Sequence, residues 1–232
     1  MRTLCSLVFL YLNVAPINIT LKQYQVKNLG DKSITLSGKG DDAQWNGAIE
    51  LDDFIYPWET VKPLPTSFRA MHNKDWLYCL YRVTDKNINV FVKDNTKREV
   101  LPSDRVEIFL RRDAQMRPYY GLEIDPHGRV YDYEAFLRQS ENGEWHWPEG
   151  ELLIKSSIHK DGYVVEFAIS KKSLTGLGLI KDSKIEAGLF RGDCVNLNGG
   201  VKADIKWISW VKPDSPTPNF HIPSAFGLLI LE

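Results

Sequence analysis

Ten short segments rich in β-branched and aromatic residues, each bounded by Gly, Pro, Asn or Asp, constrain this chain more than any other feature. They run 34–36, 76–83, 105–110, 119–125, 130–133, 152–158, 163–169, 185–190, 206–211 and 226–231. Segments so short and so numerous predict an all-β fold, an antiparallel β-sandwich. Asp161-Gly162 reads as a tight hairpin turn, because Gly accepts the positive φ such turns need, and Asn142-Gly143 reads as a second. One short helix is expected after Ser170, a capping residue, with Leu174 and Leu177 turned inward and Gly176 and Gly178 ending it. No internal repeat or Pro-rich linker divides the chain, so residues 16–232 are read as one domain.

The charges exclude some partners. Lys and Arg number 29 against 30 Asp and Glu, a net charge of −1, and a protein built to grip nucleic acid would carry a basic surplus. Residues 1–15, with Arg2, an apolar run over 4–12 and Ala15, have the layout of a short secretory signal, the alternative being an N-terminal strand. Read as a signal, the segment places the protein outside the cytoplasm: secreted, periplasmic or on the cell surface. As a helix the apolar run reaches only about 14 Å, too short for a bilayer core of about 30 Å, so no membrane span is expected. Cys5, Cys79 and Cys194 match no zinc spacing. Cys79 and Cys194 are read either as a disulfide or as small buried hydrophobes.

Strand alternation says more. Val106, Ile108 and Leu110 fall on one face, Arg105, Glu107 and Phe109 on the other. In the next segment Tyr120, Leu122 and Ile124 point one way, while Tyr119, Gly121, Glu123 and Asp125 point the other. If the two strands are neighbours, Arg105, Glu107, Tyr119 and Glu123 share a sheet face. Carboxylates and a guanidinium there would bond sugar hydroxyls while rings stack on the apolar face of a pyranose. The alternative is a plain solvated face carrying an ion pair of little energetic weight.

Several segments together resemble the family 9 carbohydrate-binding modules, specifically the family-9-like sugar-binding proteins, from about residue 34 to the end. They are Ser37-Gly38-Lys39-Gly40-Asp41-Asp42-Ala43-Gln44-Trp45, Asp75-Trp76-Leu77-Tyr78 and Ser103-Asp104-Arg105-Val106-Glu107-Ile108-Phe109. Gly162-Tyr163-Val164-Val165-Glu166, Ile208-Ser209-Trp210 and His221-Ile222-Pro223-Ser224-Ala225-Phe226-Gly227 complete the set. The resemblance implies a β-sandwich that binds the ends of plant polysaccharides such as xylan or cellulose, commonly as a non-catalytic part of a xylanase. It also implies a terminal sugar clamped between two Trp and bonded by a Glu and an Arg, and calcium sites in some members. The Glu falls on Glu107, and the stacking aromatic before the final Pro falls on Phe220. The other clamp Trp falls on Leu101, and the Arg of the following strand falls on Glu123. A stacking ring contributes about 1 kcal/mol beyond its buried area, so Leu101 in that place weakens a small-sugar complex unless another aromatic substitutes, and Trp58, Trp145 and Trp147 are the available substitutes.

Trp145-His146-Trp147 reads as an exposed platform beside the Asn142-Gly143 turn or, equally, as core packing. Trp58 follows Pro57 in an irregular stretch. Trp45, Trp76, Trp207 and Trp210 are read as core, and His221 as a hydrogen-bonded structural residue. Arg191 ends a strand and is expected to reach the face of Glu107 or to serve as a surface ion-pair partner. Asp41 with Asp42, and Asp52 with Asp53, lack EF-hand spacing, so no metal and no cofactor is assigned, calcium entering only through the resemblance.

These readings give a non-catalytic carbohydrate-binding protein for plant poly- or oligosaccharides, acting beside polysaccharide-degrading enzymes. Its ligand-binding candidates are Glu107, Phe220, Arg105, Glu123, Arg191, Trp147 and Trp58. No catalytic residue is assigned, because the sequence carries no GxSxG, HExxH or Cys-His signature. The rival enzyme reading makes Glu107 and Glu123 the paired carboxylates of a glycoside hydrolase or xylanase-associated component. A second rival, a haem module, would use Met71-His72 and Met116.

Overall fold

The computed structural model of the chain describes residues 21–232. The segment 1–15, its Cys5 and the signal-or-strand question lie outside the described residues. The described chain is mostly β with one short α-helix, as the segment pattern predicts. Twelve strands form one curled sheet in the order β6-β5-β4-β10-β12-β1-β2-β3-β8-β7, with β9 and β11 also pairing β10. They are β1 (Gln23–Asn28), β2 (Thr66–His72), β3 (Trp76–Thr84), β4 (Arg105–Arg111), β5 (Tyr119–Ile124) and β6 (Val130–Ala135). After these come β7 (Leu152–His159), β8 (Gly162–Ser170), β9 (Ile180–Lys181), β10 (Lys184–Asn196), β11 (Asp204–Ser209) and β12 (Gly227–Leu231). The helix α1 (Lys171–Gly176) follows β8 directly, and Ser170 caps it by accepting a hydrogen bond from the Ser173 N–H.

The pairing is antiparallel except at β1, which runs parallel to β12 along its first half and parallel to β2 at its end. β1 therefore belongs to both layers and joins them at a corner. Inside the fold, Val106, Ile108, Leu110, Leu122 and Ile124 of the front layer pack with Leu77, Tyr81, Val165 and Phe167 of the back layer. The alternation read from the sequence is therefore correct in β4 and β5. β7 and β8 form the expected hairpin, although Lys160 and Asp161 make the turn and Gly162 already pairs with His159. Cys79 and Cys194 are free, buried thiols, which settles the open alternative against a disulfide.

One expectation fails in a way that matters. The outer face of β4 and β5 is not an open stripe, since every residue of both strands is buried. The 213–226 segment lies over it and places Phe220, Ala225 and Phe226 in a second apolar cluster with Phe109, Tyr119, Tyr131, Tyr133 and Phe190. Glycine makes room for this layer at Gly121, where an added Cβ would fall 2.1 Å from Cζ of Tyr133.

Candidate functional site: a carboxylate and aromatic cleft

Strand register builds the site. Glu107 of β4 lies directly opposite Glu123 of β5 and, on its other side, opposite Phe190 of β10. Arg105, two residues earlier on β4, shares their face. Its Nε donates to Glu123 Oε2 at 2.6 Å and lies 2.9 Å from Glu107 Oε1, while its Nη1 donates to the carbonyls of Leu101 and Ser103. The guanidinium rests over the Trp207 ring at 5.1 Å, a cation–π contact. The 213–226 segment closes the other side, and a cleft of about 120 Å³ remains, lined by Arg105, Glu107, Glu123, Trp207, Asn219, Phe220 and His221 among others.

The rings beside the cleft support one another. Phe220 stacks on Phe190 with centroids 4.1 Å apart and meets Trp207 edge-on at 5.6 Å and Trp58 at 5.5 Å. His221 stacks on Phe109, and its Nδ1 lies 2.7 Å from the Tyr119 hydroxyl. It is thus the hydrogen-bonded histidine expected, and it also lines the cleft.

One guanidinium faces two carboxyl groups in a place with little water. Glu107, 2% exposed, has its pKa pushed up to about 8, first by burial and then by the nearby Glu123 charge, with Arg105 opposing both. Burial also lowers the pKa of His221, so the imidazole supplies no balancing charge at neutral pH. Burial beside Glu123 therefore favours the protonated form of Glu107, while Arg105 lies within ion-pair distance of both carboxyl groups. Although Glu107 Oε1 lies near Arg105, it has no hydrogen-bond partner. Buried polar atoms without a hydrogen-bond partner are few in folded proteins, which singles out the floor of the cleft for attention.

The raised pKa of Glu107 has a consequence for stability. The folded state keeps a proton that the unfolded chain releases near pH 4.5, so stability falls as pH rises from about 4.5 to 8 and then levels off. Asp104, raised by burial to about 7 from 3.8, acts in the same direction over a lower window. Each group titrating alone gives a slope of about 1.4 kcal/mol per pH unit. Melting curves at pH 5 and pH 8 are expected to show wild type losing more Tm than Glu107→Gln between them. Equal losses would show that Glu107 is ionised throughout.

The sequence candidates divide. Glu107, Glu123, Arg105 and Phe220 come together in the cleft, and Trp58 packs beside it on Phe220, its Nε1 donating to the Ser215 carbonyl. Arg191 is corrected, because it points away from Glu107. Its neighbour in register is Val106 on the core face, it is 0% exposed, and it pairs with Asp85 and Asp193. Trp147 is corrected too. It is buried against Tyr120 and Trp145 with its Nε1 donating to Ser173, so it fills the interior and makes no exposed platform. Trp207, assigned to the core by sequence, is half-buried at the cleft and was missed as a site residue.

Calcium does not fit the one group of described carboxylates that lie close enough together to hold an ion. Asp85, Asp104 and Asp193 lie close enough to share an ion, but the Arg191 guanidinium already sits among them. Asp104 accepts backbone hydrogen bonds from Asn89 and Cys194 on its two oxygens, which leaves it a poor ligand. Asp41 and Asp42 are engaged by Ser37, Thr35 and Gln44, and Asp53 by Lys22. His72, the histidine of the haem alternative, has Nε2 at 2.9 Å from the Glu232 carbonyl and Nδ1 beside Lys171.

A curled β-sandwich with a pocket of hydrogen-bonding charges beside supported rings defines a class, the β-sandwich binding domains. The chain belongs to the family described as carbohydrate family 9 binding domain-like, which matches residues 36–232, as the resemblance in its motifs implies. Solved structures agree at the level of fold. A Bacteroides uniformis protein proposed to bind carbohydrate is 18% identical with a TM-score of 0.70, the match covering 92% of this chain and 100% of that one. A family 9 carbohydrate-binding module from Caldicellulosiruptor kristjanssonii, solved in complex with glucose, is 18% identical with a TM-score of 0.61 over 91% of this chain and 96% of that one. The same organism's module in complex with cellotriose gives 18% and 0.58 over 91% and 94%. No curated protein matches the sequence.

Proposed function

We propose that the protein binds plant-derived poly- or oligosaccharide without cleaving it, taking the terminal ring of a chain such as cellulose or xylan into the Arg105–Glu107–Glu123 cleft. The observation that carries this reading is the grouping of Arg105, Glu107 and Glu123 with the Phe220 and Trp207 rings around one cleft of about 120 Å³. Sites for drug-sized ligands run to about 300–1,000 Å³, so this one suits a single sugar ring. Family membership supports the class of ligand, and the glucose and cellotriose complexes of the related module support β-linked glucose units within it. In this reading Glu107 and Arg105 bond hydroxyls, Glu123 holds Arg105 in place, and Phe220 and Trp207 present rings, with Trp58 supporting Phe220 from behind. Among the described residues no helix is long and apolar enough to cross a membrane. Export to the periplasm, cell surface or medium, beside polysaccharide-degrading enzymes, belongs to the same proposal.

The geometry favours binding over hydrolysis. A glycosidase needs two carboxyl groups flanking the bond it breaks, about 5–9.5 Å apart according to mechanism. Here both converge on one guanidinium nitrogen, at 2.9 and 2.6 Å, so Arg105 stands where a glycosidic oxygen would have to sit.

Calorimetric titration with cello-, xylo- and manno-oligosaccharides, each with intact and with reduced ends, tests the reading. Loss of about 1.4 kcal/mol or more on reduction, a tenfold weakening, is expected if the terminal ring is what the cleft holds. Glu107→Gln, which mimics the protonated acid, is expected to keep most of the affinity. Heat from none of these sugars would end the proposal.

A further inference from the structure

A second cavity, about 440 Å³, opens against the first. Asn219 and His221 line both, so the two cavities adjoin across these residues. The far side of the second cavity comes from the connection between β6 and β7, which contributes Arg138, Gln139 and Glu141. Backbone hydrogen bonds hold that connection in place: the Leu137 N–H donates to Met116, the Gln139 N–H to Phe136 and the Asn142 N–H to Glu134. His221 is fixed as well, by the Tyr119 contact to Nδ1, by the stack on Phe109 and by its backbone N–H donating to Asn219 Oδ1.

We propose that this second cavity is a further sugar subsite, which takes the residues next to the terminal ring as the chain leaves the cleft over His221. The inference rests on the proposed function of the cleft. Its chemistry matches a neutral glycan. Arg138 and Glu141 contribute one charge of each sign, and with Gln139 and Asn219 they offer donors and acceptors in about equal number, which suits hydroxyls that do both. Its volume, more than three times that of the cleft, admits more than one further ring. The protein then distinguishes sugars by length as well as by terminal ring, and gains affinity from a loop that forms no part of the cleft.

The test is titration of glucose, cellobiose and cellotriose against wild type and against Arg138→Ala/Glu141→Ala. Wild type is expected to bind cellotriose at least about tenfold more tightly than glucose, the yield of one well-formed polar contact. In the double variant, glucose binding and Tm are expected to stay unchanged while the gain for cellotriose shrinks to about threefold or less. Equal affinity of wild type for glucose and cellotriose overturns the subsite and leaves the cleft standing. So does a double variant that weakens both sugars alike or neither. No binding of glucose or cellotriose by wild type overturns the reading of the cleft, and the subsite with it.

Discussion

Arg105→Met is expected to cost about 3–5 kcal/mol of stability and all measurable sugar binding. The guanidinium is buried, donates to Glu123 and the Leu101 and Ser103 carbonyls, and lies on Trp207. Its removal leaves the buried Glu123 carboxylate facing Glu107 across paired strands without a counter-charge, and two backbone carbonyls without their donor. Much of the loss comes from the stranded Glu123 carboxylate and not from the ion pair itself, because burying a pair gains little over a well-packed apolar replacement. Arg105→Met/Glu107→Gln/Glu123→Gln is therefore expected to recover a large part of the stability and none of the binding. Urea denaturation measures both. A loss under about 1 kcal/mol for Arg105→Met would mean that water reaches the carboxylates freely.

The second large effect is expected far from the cleft. Glu166 of β8 is 0% exposed and faces outward from the back layer, where the stretch from Ser37 to Trp45 folds over it. Its carboxylate accepts hydrogen bonds from the Trp45 indole and from the Ser37 and Gly38 backbone N–H groups. Glu166→Ala removes these bonds together with a longer one from the Ser37 hydroxyl, leaves buried donors unmet and opens a cavity, so a loss of at least about 3 kcal/mol is expected. The loss should be local at first, with Gly38 amide exchange accelerating and Trp45 fluorescence shifting before the sheet unfolds. Simultaneous loss of every signal would show that the segment and the sheet unfold as one.

How much of this the sequence disclosed depends on where the period-2 rule met a one-sided strand. In β4 and β5 the inward series Val106, Ile108, Leu110 and Tyr120, Leu122, Ile124 is apolar throughout, so both faces and the Arg105–Glu107–Glu123 grouping were legible. β1 and β2 were not. Tyr24 and Val26, or Phe68 and Ala70, alternate with Gln, Lys, Ser and Arg and are too few to stand out. The same rule applied to β11 would have separated Trp207 from the inward Ile208 and sent it to the cleft. Applied to β10, it would have sent Arg191 inward with Leu189. Charge at the end of a strand suggested a surface, whereas the partners that let a guanidinium be buried, Asp85 and Asp193, are assembled only by the fold. The cover over the sheet face was illegible for the same reason. A loop with four prolines shows that it is rigid, but not what it lies on.

The corner made by β1 has a consequence for assembly. Its ion pair with the last strand, Lys27 to Glu232, spans 205 residues of chain, and the parallel register from Gln23 to Val26 waits on residues 228–231. During synthesis every other described strand of the front and back layers has emerged before β12, yet β1 and β10 each keep an unpaired edge until it does. Closing so distant a contact is slow, and open edges invite pairing with other chains. The interval between the emergence of residue 209 and that of residue 231 is therefore when a nascent copy is most exposed to aggregation, and a chaperone that shields strand edges would matter most in that interval.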